Sequence, residues 1–140
     1  MKYLIQEYLI KLTIHLTPIT TGGAPNILVA INQHVLFDNS LEHKVILSSD
    51  IELLSPFDIL IILRNKKYQE NKETAIIIES MQVDDFNIMP TYSNRATYIN
   101  DHNYNNPTNY LGFNGKWTLT IDKPFYPWLH QAQGQGWLID

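Results

Sequence analysis

From residue 10 onward the chain alternates without a break. Ile10, Leu12, Ile14 and Leu16 share one face, and Lys11, Thr13, His15 and Thr17 share the other. A period of two is the signature of a strand with one face buried, because successive side chains on a pleated backbone point to opposite sides. The same alternation returns at Ile27, Val29 and Ile31, and again at Trp117, Leu119 and Ile121, where Lys116, Thr118 and Thr120 fall outside. Turn-forming tracts separate such runs every 8–12 residues or so, and helical periodicity is almost absent, as in an antiparallel sandwich or barrel; an all-β antiparallel sandwich is expected.

The segments between fit that plan. Pro18–Pro25, with Gly22-Gly23, reads as a loop, Asn32–His34 and Asp38–Ser40 as turns, and Val35–Phe37 and Lys44–Leu47 as short strands. Asp58–Leu63 is a continuous Ile and Leu run, which predicts a strand buried on both faces. After the polar tract Asn65–Glu73, Thr74–Glu79 and Val83–Ile88 read as further strands. Asn114-Gly115 has the composition of a type I′ hairpin turn, and Gly134–Leu138 reads as a last short strand. With 140 residues, the chain suits a single domain over 1–140, large enough to bury a core without disulfide or metal staples. Met1–Leu9 favours a strand, although Leu4, Ile5, Tyr8 and Leu9 also suit a helical face. Gln6, Glu7, Lys11 and His15 interrupt the apolar start of the chain, so neither a signal peptide nor a membrane span is expected.

Composition narrows the chemistry. The chain has no cysteine, which removes thiol nucleophiles and thiolate metal sites. A formal net charge of −4 with scattered basic residues argues against nucleic-acid binding. The short basic run Arg64-Asn65-Lys66-Lys67 reads as a solvated strand end. The five histidines show no ligand spacing, and G-x-S-x-G, G-x-G-x-x-G and P-loop patterns are absent. Glu79, Asp84, Asp85 and Asp101 are hard oxygen ligands of the kind that bind calcium. Neighbours on a strand diverge, however, so they read first as solvated acids at a sheet edge, with calcium as the alternative. No convergent carboxylate pair is visible, and no enzyme activity is expected.

The region at about 90–110 is different: rich in Asn and Tyr and poor in aliphatic residues, it predicts a long surface loop. Aromatic rings beside amides and carboxylates suit the apolar C–H face and the hydroxyls of a sugar. Tyr98, Asn103, Tyr104, Asn106 and Tyr110 are therefore the candidate contacts for a glycan or a protein partner. Trp117, Tyr126, Trp128 and Trp137 read as core.

The closing segment carries a resemblance. Leu111-Gly112-Phe113-Asn114-Gly115-Lys116-Trp117-Thr118-Leu119-Thr120-Ile121, followed by Pro124-Phe125-Tyr126-Pro127-Trp128-Leu129, resembles a motif in small proteins of tailed phages of the cyanophage type. Gly23–Ile31, Phe37, Pro56–Leu63 and Ile76–Asp84 follow in the same order more weakly, and the Gly-Gln-Gly within Gln131–Gly136 departs from it. The resemblance implies a jelly-roll fold like that of carbohydrate-binding modules. It further implies a non-enzymatic virion or accessory protein of the capsid, neck or tail, made in the host cytoplasm and present in many copies among other phage virion proteins. It carries no catalytic residues. Glycan adhesion at the host surface is the alternative role.

Overall fold

The structure, a computed structural model, describes residues 9–52, 55–84, 86–88, 95–104 and 108–121. Ten strands occur among them: β1 (Leu9–Ile19), β2 (Asn26–Ile31), β3 (His34–Ser40), β4 (Val45–Glu52), β5 (Phe57–Arg64), β6 (Ala75–Val83), β7 (Phe86–Asn87), β8 (Thr97–Asn100), β9 (Tyr110–Leu111) and β10 (Gly115–Ile121). They form two sheets, one ordered β4-β1-β6-β7 with β9 also on β6, the other β3-β2-β5-β10-β8. All the pairings are antiparallel. The protein is an all-β sandwich.

The alternating faces meet between the sheets. Leu12, Ile14 and Leu16 of β1 join Ile27, Val29 and Ile31 of β2, Ile59, Ile61 and Leu63 of β5, and Trp117, Leu119 and Ile121 of β10 in one buried cluster. Burial of this kind stabilises by about 25 cal/mol per Å² of apolar surface removed from water. No helix among the described residues is long and apolar enough to cross a membrane.

Several local expectations change. Pro18 belongs to β1 and faces Ile76 on β6, while β1's pairing with β4 stops at Leu16. A proline lacks an N–H to donate and is tolerated where one side of its strand has no ladder. Asp38–Ser40 continues β3, paired with Asn26–Leu28. Strand β5 is fully buried on one face only: Leu60 and Ile62 are apolar but half-buried, since no third layer among the described residues covers that side. Asp84 has a φ of 51° at the corner between β6 and β7, so the Val83–Ile88 run is a tight reversal rather than one strand. The 90–110 region is not wholly loop either. It contains β8, the end strand of its sheet, and the beginning of β9. The turn expected at Asn114-Gly115 is absent, since neither residue has positive φ and Gly115 already pairs with Leu63 and Asn100. The two-residue turn with positive φ at both centres occurs instead at Asn32 (49°) and Gln33 (69°), as a right-twisted hairpin requires.

Candidate functional site

At one end of the sandwich, the segments following β5, β8 and β9 enclose a groove of about 330 Å³. Its lining is Lys66, Tyr68, Glu73, Tyr104, Thr108, Tyr110, Gly112 and Phe113. Three interactions give the groove its shape. Asn114 hooks the backbone of Lys66 in both directions, accepting its N–H at 2.8 Å and donating to its carbonyl at 2.9 Å. Tyr98 accepts the Phe113 N–H at 2.9 Å and donates to the Phe113 carbonyl. The side chain of Asn100 accepts the N–H groups of His102 and Tyr104, each at 3.0 Å, and closes the turn beyond β8. Asn103, with a φ of 53°, supplies the left-handed residue of that turn, which asparagine tolerates well.

On this frame sit two carboxylates and one cation. The Lys66 side chain is only 4% exposed, and its Nζ donates to Glu73 Oε1 and to the Gly112 carbonyl, each at 2.5 Å. The ammonium also lies 5.1 Å from the centre of the Tyr68 ring. Glu73 Oε2 accepts the Tyr110 hydroxyl at 2.6 Å. The Tyr68 hydroxyl donates to Asp101, 2.6 and 2.8 Å from its two oxygens, and accepts the Asn114 N–H at 2.9 Å. His102 Nδ1 is 2.7 Å from Asp101 Oδ1, and its ring stacks on Phe113 at 4.3 Å, with Tyr104 5.8 Å from Phe113 on another side.

These contacts set the protonation of the site. Burial pushes Glu73 up, but hydrogen bonds from Lys66 and Tyr110 outweigh it and hold the carboxyl below its ordinary value. Hydrogen bonds from Tyr68 and His102 lower Asp101. Burial, then the neighbouring carboxylates, raise Tyr68 and Tyr110, and burial carries Tyr98 to about 12 against the opposing Phe113 hydrogen bond. A carboxyl whose folded pKa is depressed contributes stability that is full above its unfolded value and is lost as pH falls through the folded one. The melting temperature should therefore hold level down to about pH 5 and fall progressively below it, as carboxyls of the unfolded chain take up protons that the folded ones resist. Glu73→Gln should lessen the acid-side fall; an identical acid profile in that variant would rule out this assignment.

The structure distributes the expected contacts unevenly. Tyr104 and Tyr110 face the groove and are 38% and 37% exposed. Tyr98 and Asn103 brace its wall and turn. Asn106 lies outside the described residues, as do Tyr126, Trp128, Trp137 and the Met1–Tyr8 and Gly134–Leu138 segments. Trp117 is wholly buried and donates Nε1–H to the Thr108 carbonyl at 3.2 Å. Phe113, an aromatic of the closing segment, also lines the groove, together with Lys66, Tyr68 and Glu73, which the sequence does not mark as contacts. The basic run does not simply solvate a strand end: Lys66 turns inward, and Arg64 donates to Asn26 and to the Ile27 carbonyl and pairs with Asp38. The one signal available was Tyr68, an aromatic residue inside an otherwise polar tract.

No protein-family model matches the chain, and no curated protein matches it. Among solved structures the chain is similar to vCBM60 in complex with galactobiose, with a TM-score of 0.52 at 8% identity, covering 80% of this chain and 97% of that one. A second vCBM60 structure, from work linking two families of calcium-dependent carbohydrate-binding modules by circular permutation, matches with a TM-score of 0.52 at 8% identity over 81% of this chain and 91% of that one. The shared feature is the β-sandwich fold. No three His, Asp or Glu side chains among the described residues group closely enough to hold a metal ion. Glu79 is the extra residue of a bulge where β6 passes β1, Asp84 is at the β6–β7 corner, and Asp101 is bound to Tyr68 and His102 beyond β8. Asp85 lies outside the described residues.

Proposed function

We propose that the protein is a non-catalytic carbohydrate-binding module that takes a glycan in the Lys66–Phe113 groove. The observation that carries this reading is the joining of aromatic surface and fixed acceptors in one concavity. Tyr104, Tyr110 and Phe113 offer rings to the C–H face of a sugar, while Glu73 and the tyrosine oxygens offer lone pairs to its hydroxyls. The likeness in fold to vCBM60 supports it. Hydrolysis is not part of this role, since Glu73 and Asp101 are occupied in holding Lys66, Tyr68 and Tyr110 and both are ionised at neutral pH, whereas glycoside cleavage needs a protonated acid.

The test is affinity electrophoresis through gels containing neutral β-linked polysaccharides, galactan among them, and polygalacturonate. Retention by a neutral gel is expected. Tyr104→Ala and Tyr110→Ala should each weaken it roughly two- to ten-fold, as loss of about 0.5–1.5 kcal/mol of stacking implies, with the melting temperature of Tyr104→Ala unchanged. Wild-type mobility unaltered in every gel would end this reading.

A second role, a multi-copy virion component, is favoured by a different observation. Val35, Ile46 and Ile99 are exposed on β3, β4 and β8, strands that end their sheets among the described residues. Exposed apolar edge positions suit contact with neighbouring chains. Mass spectrometry of purified phage particles decides it: a monomer missing from particles would remove the virion role.

A further inference from the structure

We infer that the cation organising the groove is the Lys66 ammonium and not a divalent metal, so that ligand binding there withstands chelation; this rests on the groove being the glycan site. A calcium ion needs about six to eight oxygen ligands around one point. The oxygens that converge here, Glu73 Oε1 and the Gly112 carbonyl, converge on Lys66 Nζ instead, at 2.5 Å each. The lysine cannot easily yield that position. Its backbone is hooked on both sides by Asn114, and its side chain is almost wholly buried.

The carboxylate oxygens also accept hydrogen bonds from the protein itself. Glu73 Oε1 also accepts the Thr74 N–H at 3.1 Å, Oε2 accepts Tyr110, and Asp101 is shared between Tyr68 and His102. A divalent ion entering the groove would meet a fixed positive charge with no carboxylate left to offset it, and like charges at close range in a partly desolvated site repel strongly. Lys66 thus does in one side chain what a metal would do. It draws the Glu73 carboxylate and the Gly112 carbonyl together, and through Glu73 it sets the Tyr110 hydroxyl in the groove wall.

The full chain can be stripped with EDTA and compared with the same chain in millimolar calcium chloride, by retention on the galactan gel. Equal retention in the two buffers is the expected result. Lys66→Ala should reduce retention ten-fold or more, and Lys66→Arg, which keeps the charge, should restore part of it. Retention lost in EDTA and recovered with calcium would overturn the inference while leaving the glycan reading intact. Absence of retention in both buffers and on all gels would overturn the glycan reading, and the inference with it. Should Lys66→Ala fail to fold, the wild-type comparison between EDTA and calcium still decides.

Discussion

Trp117→Ala is expected to cost about 3–5 kcal/mol of folding stability, the range found when a large aromatic side chain is removed from a core. Trp117 is wholly buried on β10, between its partners Ile61 on β5 and Tyr98 on β8. Its Nε1–H also satisfies the Thr108 carbonyl at the groove. Truncation therefore leaves a cavity and an orphaned acceptor, the latter adding about 1 kcal/mol or more. Urea unfolding should show a lower midpoint at unchanged slope. Trp117→Phe should recover most of the packing but not the hydrogen bond, and its stability should lie between the two. A loss below about 1.5 kcal/mol for the alanine variant would show that the core closes over the gap and that no cavity is left.

Gly115→Ala should be the next most damaging change, for a different reason. A β-carbon at Gly115 would overlap the Ile99 carbonyl oxygen and lie 2.6 Å from Asn100 Cα. Both obstacles are backbone, so no rotamer change relieves them. The strands β10 and β8 must part at this point, and overpacking of that kind costs about 1–3 kcal/mol. Asn100 is the residue whose amide holds the turn carrying His102 and Tyr104. The variant should therefore lose glycan retention as well as stability, and amide exchange should accelerate at Thr97–Asn100. Exchange unchanged at β8 would mean that the glycine is not needed for close approach.

The sandwich was legible where side-chain chemistry tracked geometry one residue at a time. Leu12, Ile14, Leu16 and Trp117, Leu119, Ile121 alternate because each sheet has one face in the core, and alternation is a local property. Strand β5 misled because Leu60 and Ile62 are apolar, yet only half-covered on the outer face. Asn114-Gly115 misled for a related reason. The dipeptide suits a turn, but here the asparagine serves as a hook for Lys66 and the glycine as a clearance for Asn100. The groove was half legible. Tyr104 and Tyr110 stood out by composition, whereas Lys66 and Glu73 acquire their meaning only when the chain brings Gly112 and Tyr110 to them. A lysine in a polar tract looks solvated until its distant acceptors are known.

That long reach has a kinetic consequence. The contacts that define the groove close spans of 33 residues (Tyr68 to Asp101), 37 (Glu73 to Tyr110), 46 (Lys66 to Gly112) and 48 (Lys66 to Asn114). Forming them requires the entropy of closing loops of that length to be met first, and topologies dominated by such contacts fold in about milliseconds to seconds. A local hairpin such as β2–β3 can assemble and fray without the groove ever existing. The groove is therefore a property of the completed sandwich alone, and a partly folded chain, however rich in strands, should present no weakened version of it.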